Sequence, residues 1–219
     1  MKGKLIVIDG LDGSGKATQS EILYKKLKEN GENVIKVSFP NYSGKGSTLV
    51  KMYLQGELSN NAEEVNAYAS STFFAADRYT SFMQDWKKEY ENGAYVILDR
   101  YTTSNAVHQT SKLPKEEWDE FLDWLFDYEY NKLCIPKPSL VIYLDMKPEV
   151  SQKLLSKRYK GDESKKDIHE KDVNYIKSCR DAALYVANKY NWKIISCDEN
   201  GEPLTIEEIS KKIDSFFKS

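Results

Sequence analysis

Seven residues near the N-terminus, Gly10-Leu11-Asp12-Gly13-Ser14-Gly15-Lys16, have the types and spacing of a phosphate-binding loop: two glycines bracket four residues and a lysine follows. The chemistry is anion capture. Backbone N–H groups converge on phosphate oxygens only where no side chain intrudes, which suits Gly10, Gly13 and Gly15. A helix opening at Lys16 adds the positive end of its dipole, and Lys16 adds a mobile cation for the terminal phosphates. The next position normally carries a Ser or Thr hydroxyl for Mg²⁺, but here it is Ala17, followed by Thr18. Thr18, water, or a strand-end acid together with nucleotide phosphates would then carry the ion, and Mg²⁺ keeps several waters in any case. A second group is Asp99-Arg100-Tyr101-Thr102-Thr103-Ser104-Asn105. It supplies an acid able to organise Mg²⁺, a two-pronged donor for a phosphate, and an amide that both donates and accepts.

Both groups follow short apolar runs that read as strands. Leu5-Ile6-Val7-Ile8-Asp9 is apolar on both faces, so it is expected to be covered on both. Val34–Phe39, Tyr95–Asp99, Leu140–Asp145 and Trp192–Ser196 are the other expected strands. Between them lie helical stretches: Lys16–Asn30 with Gly31 as its stop, Ala62–Glu91, Pro114 to about Tyr130, a helix with Pro148 in its first turn, His169–Tyr190 and Thr205–Phe217. Alternation of this kind predicts an α/β fold of three layers, a five-stranded parallel sheet with helices on both faces, of the P-loop NTPase type. Such sheets bind ligands beyond the carboxyl ends of their strands, where the two groups sit.

Composition narrows the partners. The 219 residues favour one domain spanning 1–219. With 32 Lys and Arg against 34 Asp and Glu, the net charge of -2 argues against a protein held to nucleic acid by bulk charge. The 15 Tyr and 8 Phe argue against a disordered acidic chain. No apolar run reaches the length of a membrane span, and Met1-Lys2-Gly3-Lys4 leads into a strand without a signal-peptide pattern. Cys134, Cys179 and Cys197 are odd in number and widely spaced, with neither a disulfide framework nor metal-ligand spacing. A reduced, cytoplasmic setting with no nucleic-acid or membrane partner is expected.

Over essentially its whole length the sequence resembles the thymidylate kinases, which phosphorylate dTMP with ATP. The resemblance rests on the loop with its acid Asp12, on Phe39-Pro40-Asn41-Tyr42, on Phe73-Phe74-Ala75-Ala76-Asp77-Arg78, on Asp99-Arg100-Tyr101 and its continuation to Asn105, and on Leu144-Asp145-Met146-Lys147-Pro148-Glu149. It implies ATP at Gly10, Leu11, Asp12, Gly13, Ser14, Gly15, Lys16, Ala17 and Thr18, with Mg²⁺ served by Asp99. It implies dTMP at Asp12, Phe39, Pro40, Tyr42, Phe74, Arg78, Arg100, Ser104, Asn105 and His108. In that family the matching acid meets the sugar 3′-hydroxyl, the Phe stacks on thymine, and the Arg matching Arg78 contacts the acceptor nucleotide. His108 stands where relatives usually carry an aromatic ring against C2′ of the sugar. Asp145 is read as a helix cap instead of a substrate contact.

The resemblance also implies a basic lid at about 153–172, with Lys157, Arg158, Lys160, Lys165, Lys166 and Lys171. Some family members carry the transition-state arginine in the phosphate loop. Here that position is Gly13, so the cation is expected from the lid, where Arg158 is the available arginine and Lys157 and Lys160 could share the task. Lys16, Arg100, Arg158 and Asp12 are thus the expected catalytic set. Relatives are typically homodimers, and the stretch from Ala62 to Trp86 carries enough apolar surface to serve. Two other activities compete with dTMP phosphorylation: a deoxynucleoside kinase, whose neutral hydroxyl acceptor needs a base, and an inert P-loop nucleotide-binding protein, which Ala17 favours.

Overall fold

The computed structural model describes residues 2–59, 64–158 and 173–217. Residues 159–172, which hold Lys160, Lys165, Lys166 and Lys171 of the expected lid, lie outside the described residues, as do the side chains of Lys157 and Arg158.

The first strand, β1 (Lys4–Gly10), is buried from Leu5 onward. Its side chains alternate between two apolar layers. Leu5 and Val7 pack with Phe82, Trp86 and Tyr101 on one face. Ile6 and Ile8 pack with Leu23, Ile209 and Ile213 on the other. Each such side chain withdraws apolar surface worth roughly 1.5–3 kcal/mol, so a double-sided strand anchors both layers. Around it lie β2 (Val34–Ser38), β3 (Tyr95–Asp99), β4 (Leu140–Asp145) and β5 (Lys193–Ser196), in the order β2-β3-β1-β4-β5 and all parallel. The expected five-stranded sheet is thus present. Chain order reverses at β1, where β3 lies on one side and β4 on the other, and that is the crevice where such sheets bind ligands. Register sets the detail: Ile8 pairs with Asp99 and Gly10 with Leu144, which aligns the ends of β1 and β3.

Helix α1 (Lys16–Glu29) follows β1 through the glycine-rich loop. A short turn leads into α2 (Thr48–Leu54), then come α3 (Ala67–Ser81), a wide π turn over Phe82–Trp86, and α4 (Lys87–Glu91), so the expected 62–91 helix is one bent run from 67 to 91, with 62 and 63 outside the described residues. Asn66 caps α3 by accepting the N–H of Ala69 at 2.8 Å. Helix α5 (Thr102–His108) starts right after β3, and α6 (Trp118–Phe126) ends in a second π turn over Asp127–Lys132. Helices α7 (Pro148–Arg158), α8 (Val173–Lys189) and α9 (Ile206–Asp214) complete the layers. A short antiparallel pair, β6 (Asp198–Glu199) and β7 (Glu202–Pro203), precedes α9 and was not expected from the sequence.

One expectation is corrected. Asp145 does not cap the helix after β4. Its two carboxylate oxygens accept Nε and Nη2 of Arg180 at 2.7 and 2.8 Å, which ties α8 to the end of β4. The acid that serves the helix start is Asp198, which accepts the N–H of Lys147 at 2.8 Å. The three cysteines are unpaired thiols, with Cys179 and Cys197 buried.

Candidate active site

The glycine loop explains its own composition. A Cβ on Gly10 would lie 2.5 Å from Oγ of Ser14 and 2.7 Å from the carbonyl oxygen of Leu144, so the strand cannot pass β4 with a side chain there. At Gly15 a Cβ would meet nothing, and the requirement is conformational: φ is 91°, in the left-handed region. Gly15 is also the residue preceding α1, and no side chain caps that helix. Its first N–H groups therefore remain available to an anion. Lys16 is buried and folds back, with Nζ donating to the carbonyl of Leu11 at 2.8 Å and lying 3.6 Å from Asp12. Burial and the nearby Arg100 charge lower its pKa, against the pull of Asp12, Asp99 and Asp9.

Arg100 is a second backbone outlier. It follows β3 with φ 67°, a conformation side chains rarely adopt, and its N–H donates to the carbonyl of Ile8 at 3.2 Å. This kink turns the guanidinium across the loop. Nη2 donates to Oδ1 of Asp12 at 2.5 Å, and Nη1 lies 3.3 Å from both Oγ of Ser104 and Nε2 of His108. Three acids surround it, since Asp9 is 3.9 Å away and Asp99 adds its field. Burial would lower the Arg100 pKa, but those acids raise it further than burial depresses it. Asp12 shows the mirror effect. Partial burial raises its pKa, yet the charges of Arg100 and Lys16 hold the carboxyl well below the usual range. Asp99 is half-buried, and burial raises its pKa despite Lys16 and Arg100.

Asp9 has a structural task. It is buried and accepts the hydroxyls of Thr103 and Ser104 and the N–H of Gly10, which locks the start of α5 against β1. A different acid, Asp77 on α3, accepts the N–H of Asn41 at 2.8 Å and so pins the loop after β2. The chain there passes through a cis Phe39–Pro40 bond.

These supports close one cleft of about 720 Å³, including its open mouth. Every residue expected at dTMP lines it. Asp12 comes from the glycine loop, and Phe39, Pro40 and Tyr42 come from the loop after β2. Phe74 and Arg78 come from α3, one helical turn apart, and Arg100, Ser104, Asn105 and His108 come from the end of β3 and α5. Phe74 meets Tyr53 edge-on with ring centroids 6.0 Å apart. His108 is stacked near Tyr175, with centroids 6.3 Å apart.

Three features were not foreseen. Arg78 is buried and paired twice with the fully buried Glu129, whose Oε2 and Oε1 accept Nε and Nη2 at 2.7 and 2.5 Å. Gln109 also lines the cleft, one turn beyond Asn105, with its Oε1 accepting Oγ of Ser70 at 2.7 Å. Leu54 lines it from α2. The position of Gln109, four residues after Asn105 at the C-terminal cap of α5, was the signal available for it. Glu129 offered none, because its partner is 51 residues away.

Among the described residues no group of three or more His, Cys, Asp or Glu is placed to hold a metal. A lone Asp99 at a strand end fits Mg²⁺ carried mainly by phosphate oxygens and water, and does not fit a dedicated protein cage. No helix among the described residues is long and apolar enough to cross a membrane.

Comparison with known proteins gives one family. The family model for thymidylate kinase matches residues 8–212. A probable thymidylate kinase of Methanosarcina acetivorans is 32% identical over 215 residues, covering 95% of this chain and 93% of that protein. The thymidylate kinase of Mycobacterium tuberculosis is 31% identical over 173 residues, covering 77% of this chain and 78% of its own. Among solved structures, the thymidylate kinase of Candida albicans superposes with a TM-score of 0.71 at 22% identity, covering 99% of this chain and 92% of that one, a likeness of fold.

Proposed function

The chain belongs to the thymidylate kinase family and phosphorylates dTMP to dTDP with ATP as donor, and we propose that it does so across the cleft between the glycine loop and Arg100. The single observation that carries this assignment is the Arg100–Asp12 pair, because it joins a phosphate-seeking cation to the loop that presents the donor.

In this reading the ATP phosphates lie on the N–H groups of the loop from Gly10 to Thr18 and on Lys16, at the uncapped start of α1. Lys16 leaves the Leu11 carbonyl for the terminal phosphates when they arrive. The dTMP phosphate takes the Arg100 fork. Among the described residues, Arg100 spends Nη1 on Ser104 and His108 and one Nη2 hydrogen on Asp12, leaving its Nε–H and a second Nη2 hydrogen for an oxyanion. Asp12, kept ionised by Arg100 and Lys16, is an acceptor for the sugar 3′-hydroxyl. Phe74 supplies a ring face for the base, and Asn105 supplies the polar edge. The attacking group is already a phosphate anion, so no strong general base is needed. Transfer then rests on alignment and on cations that match the developing charge. Mg²⁺, when bound, neutralises phosphate charge, and Asp99 is the protein group that would hold it or its waters. Arg158, at the end of α7, is our choice for the additional transition-state cation. The reading includes a homodimer, for which the exposed Tyr79 and Met83 offer apolar surface.

A coupled ADP-release assay with dTMP, thymidine, dUMP or no acceptor tests the whole. Turnover is expected with dTMP and not with thymidine. Turnover with thymidine alone would replace the phosphate acceptor by a hydroxyl, and ATP binding without turnover would favour an inert loop.

A further inference from the structure

Glu129 sits in the π turn after α6, outside the cleft lining, with no exposed surface. A buried carboxylate is retained only when its lone pairs are filled, and here four donors fill them. Nε and Nη2 of Arg78 donate at 2.7 and 2.5 Å, Oγ1 of Thr102 at 2.7 Å, and Nδ2 of Asn105 at 3.3 Å. Three of those donors, two from Arg78 and one from Asn105, belong to residues that line the cleft.

The Asn105 contact has a chemical consequence. Its Nδ2 also donates to the carbonyl of Ser71 at 3.1 Å. A backbone carbonyl and an ionised carboxylate can only accept, so both amide hydrogens must point at them. The amide therefore cannot turn over, and Oδ1 is the atom left for the cleft. An acceptor suits a ring N–H and opposes a ring nitrogen lone pair.

We propose that Glu129 is a positioning residue for base recognition: by holding the Asn105 amide in one orientation and the Arg78 guanidinium in one place, it makes the cleft prefer a pyrimidine with a ring N–H, as in thymine, over one with a bare ring nitrogen, as in cytosine. The proposal rests on Asn105 reading the base, as in the preceding section. Replacing Glu129 by Gln puts an amide where only acceptors stood. Its own NH₂ can then face Asn105, so only the Ser71 carbonyl still fixes the amide, and the turned form that offers Nδ2 to the cleft becomes less costly.

The test is steady-state kinetics of Glu129→Gln and Asn105→Ala with dTMP and dCMP. For Glu129→Gln, the KM for dTMP should rise at least tenfold with the KM for ATP within twofold, and the ratio of kcat/KM for dTMP over dCMP should fall at least tenfold. A merely structural role would lower activity toward both acceptors alike and leave that ratio intact, which overturns the proposal. An unchanged Glu129→Gln beside an impaired Asn105→Ala overturns the proposal while keeping Asn105 as the base reader. An unchanged Asn105→Ala overturns both. Should Glu129→Gln fail to fold, the unsubstituted protein still decides the matter through exchange of the Asn105 side-chain NH₂ hydrogens. Slow exchange relative to exposed asparagines supports the locked orientation. Exchange at the exposed rate places the nitrogen in the open cleft and overturns it.

Discussion

Nη2 of Arg100 donates to Oδ1 of Asp12, so the residue after the third strand is fastened to the loop after the first. The two lie 88 positions apart in the chain, and the register of Ile8 on Asp99 brings them together. Their coupling runs both ways. Arg100 keeps Asp12 ionised, and Asp12 holds a guanidinium that its backbone has already twisted into the left-handed region at φ 67°. A non-glycine residue held there costs on the order of 1 kcal/mol or more, and such strain collects at functional sites.

The first consequence concerns turnover. Arg100→Ala should lower kcat/KM for dTMP by more than tenfold, because charged hydrogen bonds to a phosphate are worth about 1.5–3 kcal/mol. Arg100→Lys should recover only part, since a point charge cannot replace a planar fork. Steady-state kinetics with varied dTMP checks both, and unchanged activity in Arg100→Ala removes the phosphate assignment.

The second concerns pH. The folded pKa of Asp12 lies below its unfolded value of about 3.9, so the stability it contributes is present above that pH and is lost as pH falls toward the folded value. Urea unfolding of the parent and of Asp12→Asn should therefore show a stability gap that is level from pH 7 to about 5 and narrows below about 4. A gap that widens on acidification would contradict the pair.

The third concerns the loop. Gly10→Ala forces a Cβ against Oγ of Ser14 and the Leu144 carbonyl. Overpacking of this kind typically costs about 1–3 kcal/mol, and here part of the obstacle is backbone. Chemical denaturation should show a loss in that range, whereas a loss near zero would mean that β1 and β4 separate freely.

The fourth concerns the ion. Ala17→Thr restores a hydroxyl at the usual ligand position, next to Lys16. The Mg²⁺ concentration for half-maximal activity should fall several-fold. If titration shows no change, position 17 is remote from the ion in this chain.

Much of this was legible in the residues, and the reasons differ by element. The phosphate loop announces itself because its glycines, lysine and flanking strand are contiguous. Asp99 and Arg100 were legible because strand ends are where parallel sheets place ligands. Asp145 was misread, since a strand-end acid before Pro148 looks like a cap until Arg180, 35 residues on, is known to claim both oxygens. Glu129 was invisible for the same reason: in sequence it is one more acid in an amphipathic stretch, and only tertiary packing gives it Arg78. The turn between β6 and β7 was marked by Asn200-Gly201, a strong hairpin signal with φ of 52° and 81°, but strands two residues long leave no alternating pattern to notice.

The measurement that bears most directly on the account is a structure with dTMP bound. A phosphate oxygen is expected about 3 Å from the Arg100 guanidinium, with the sugar 3′-hydroxyl at Asp12 and the base against Phe74. A dTMP phosphate held elsewhere, with Arg100 still engaged only by Asp12, Ser104 and His108, would contradict it.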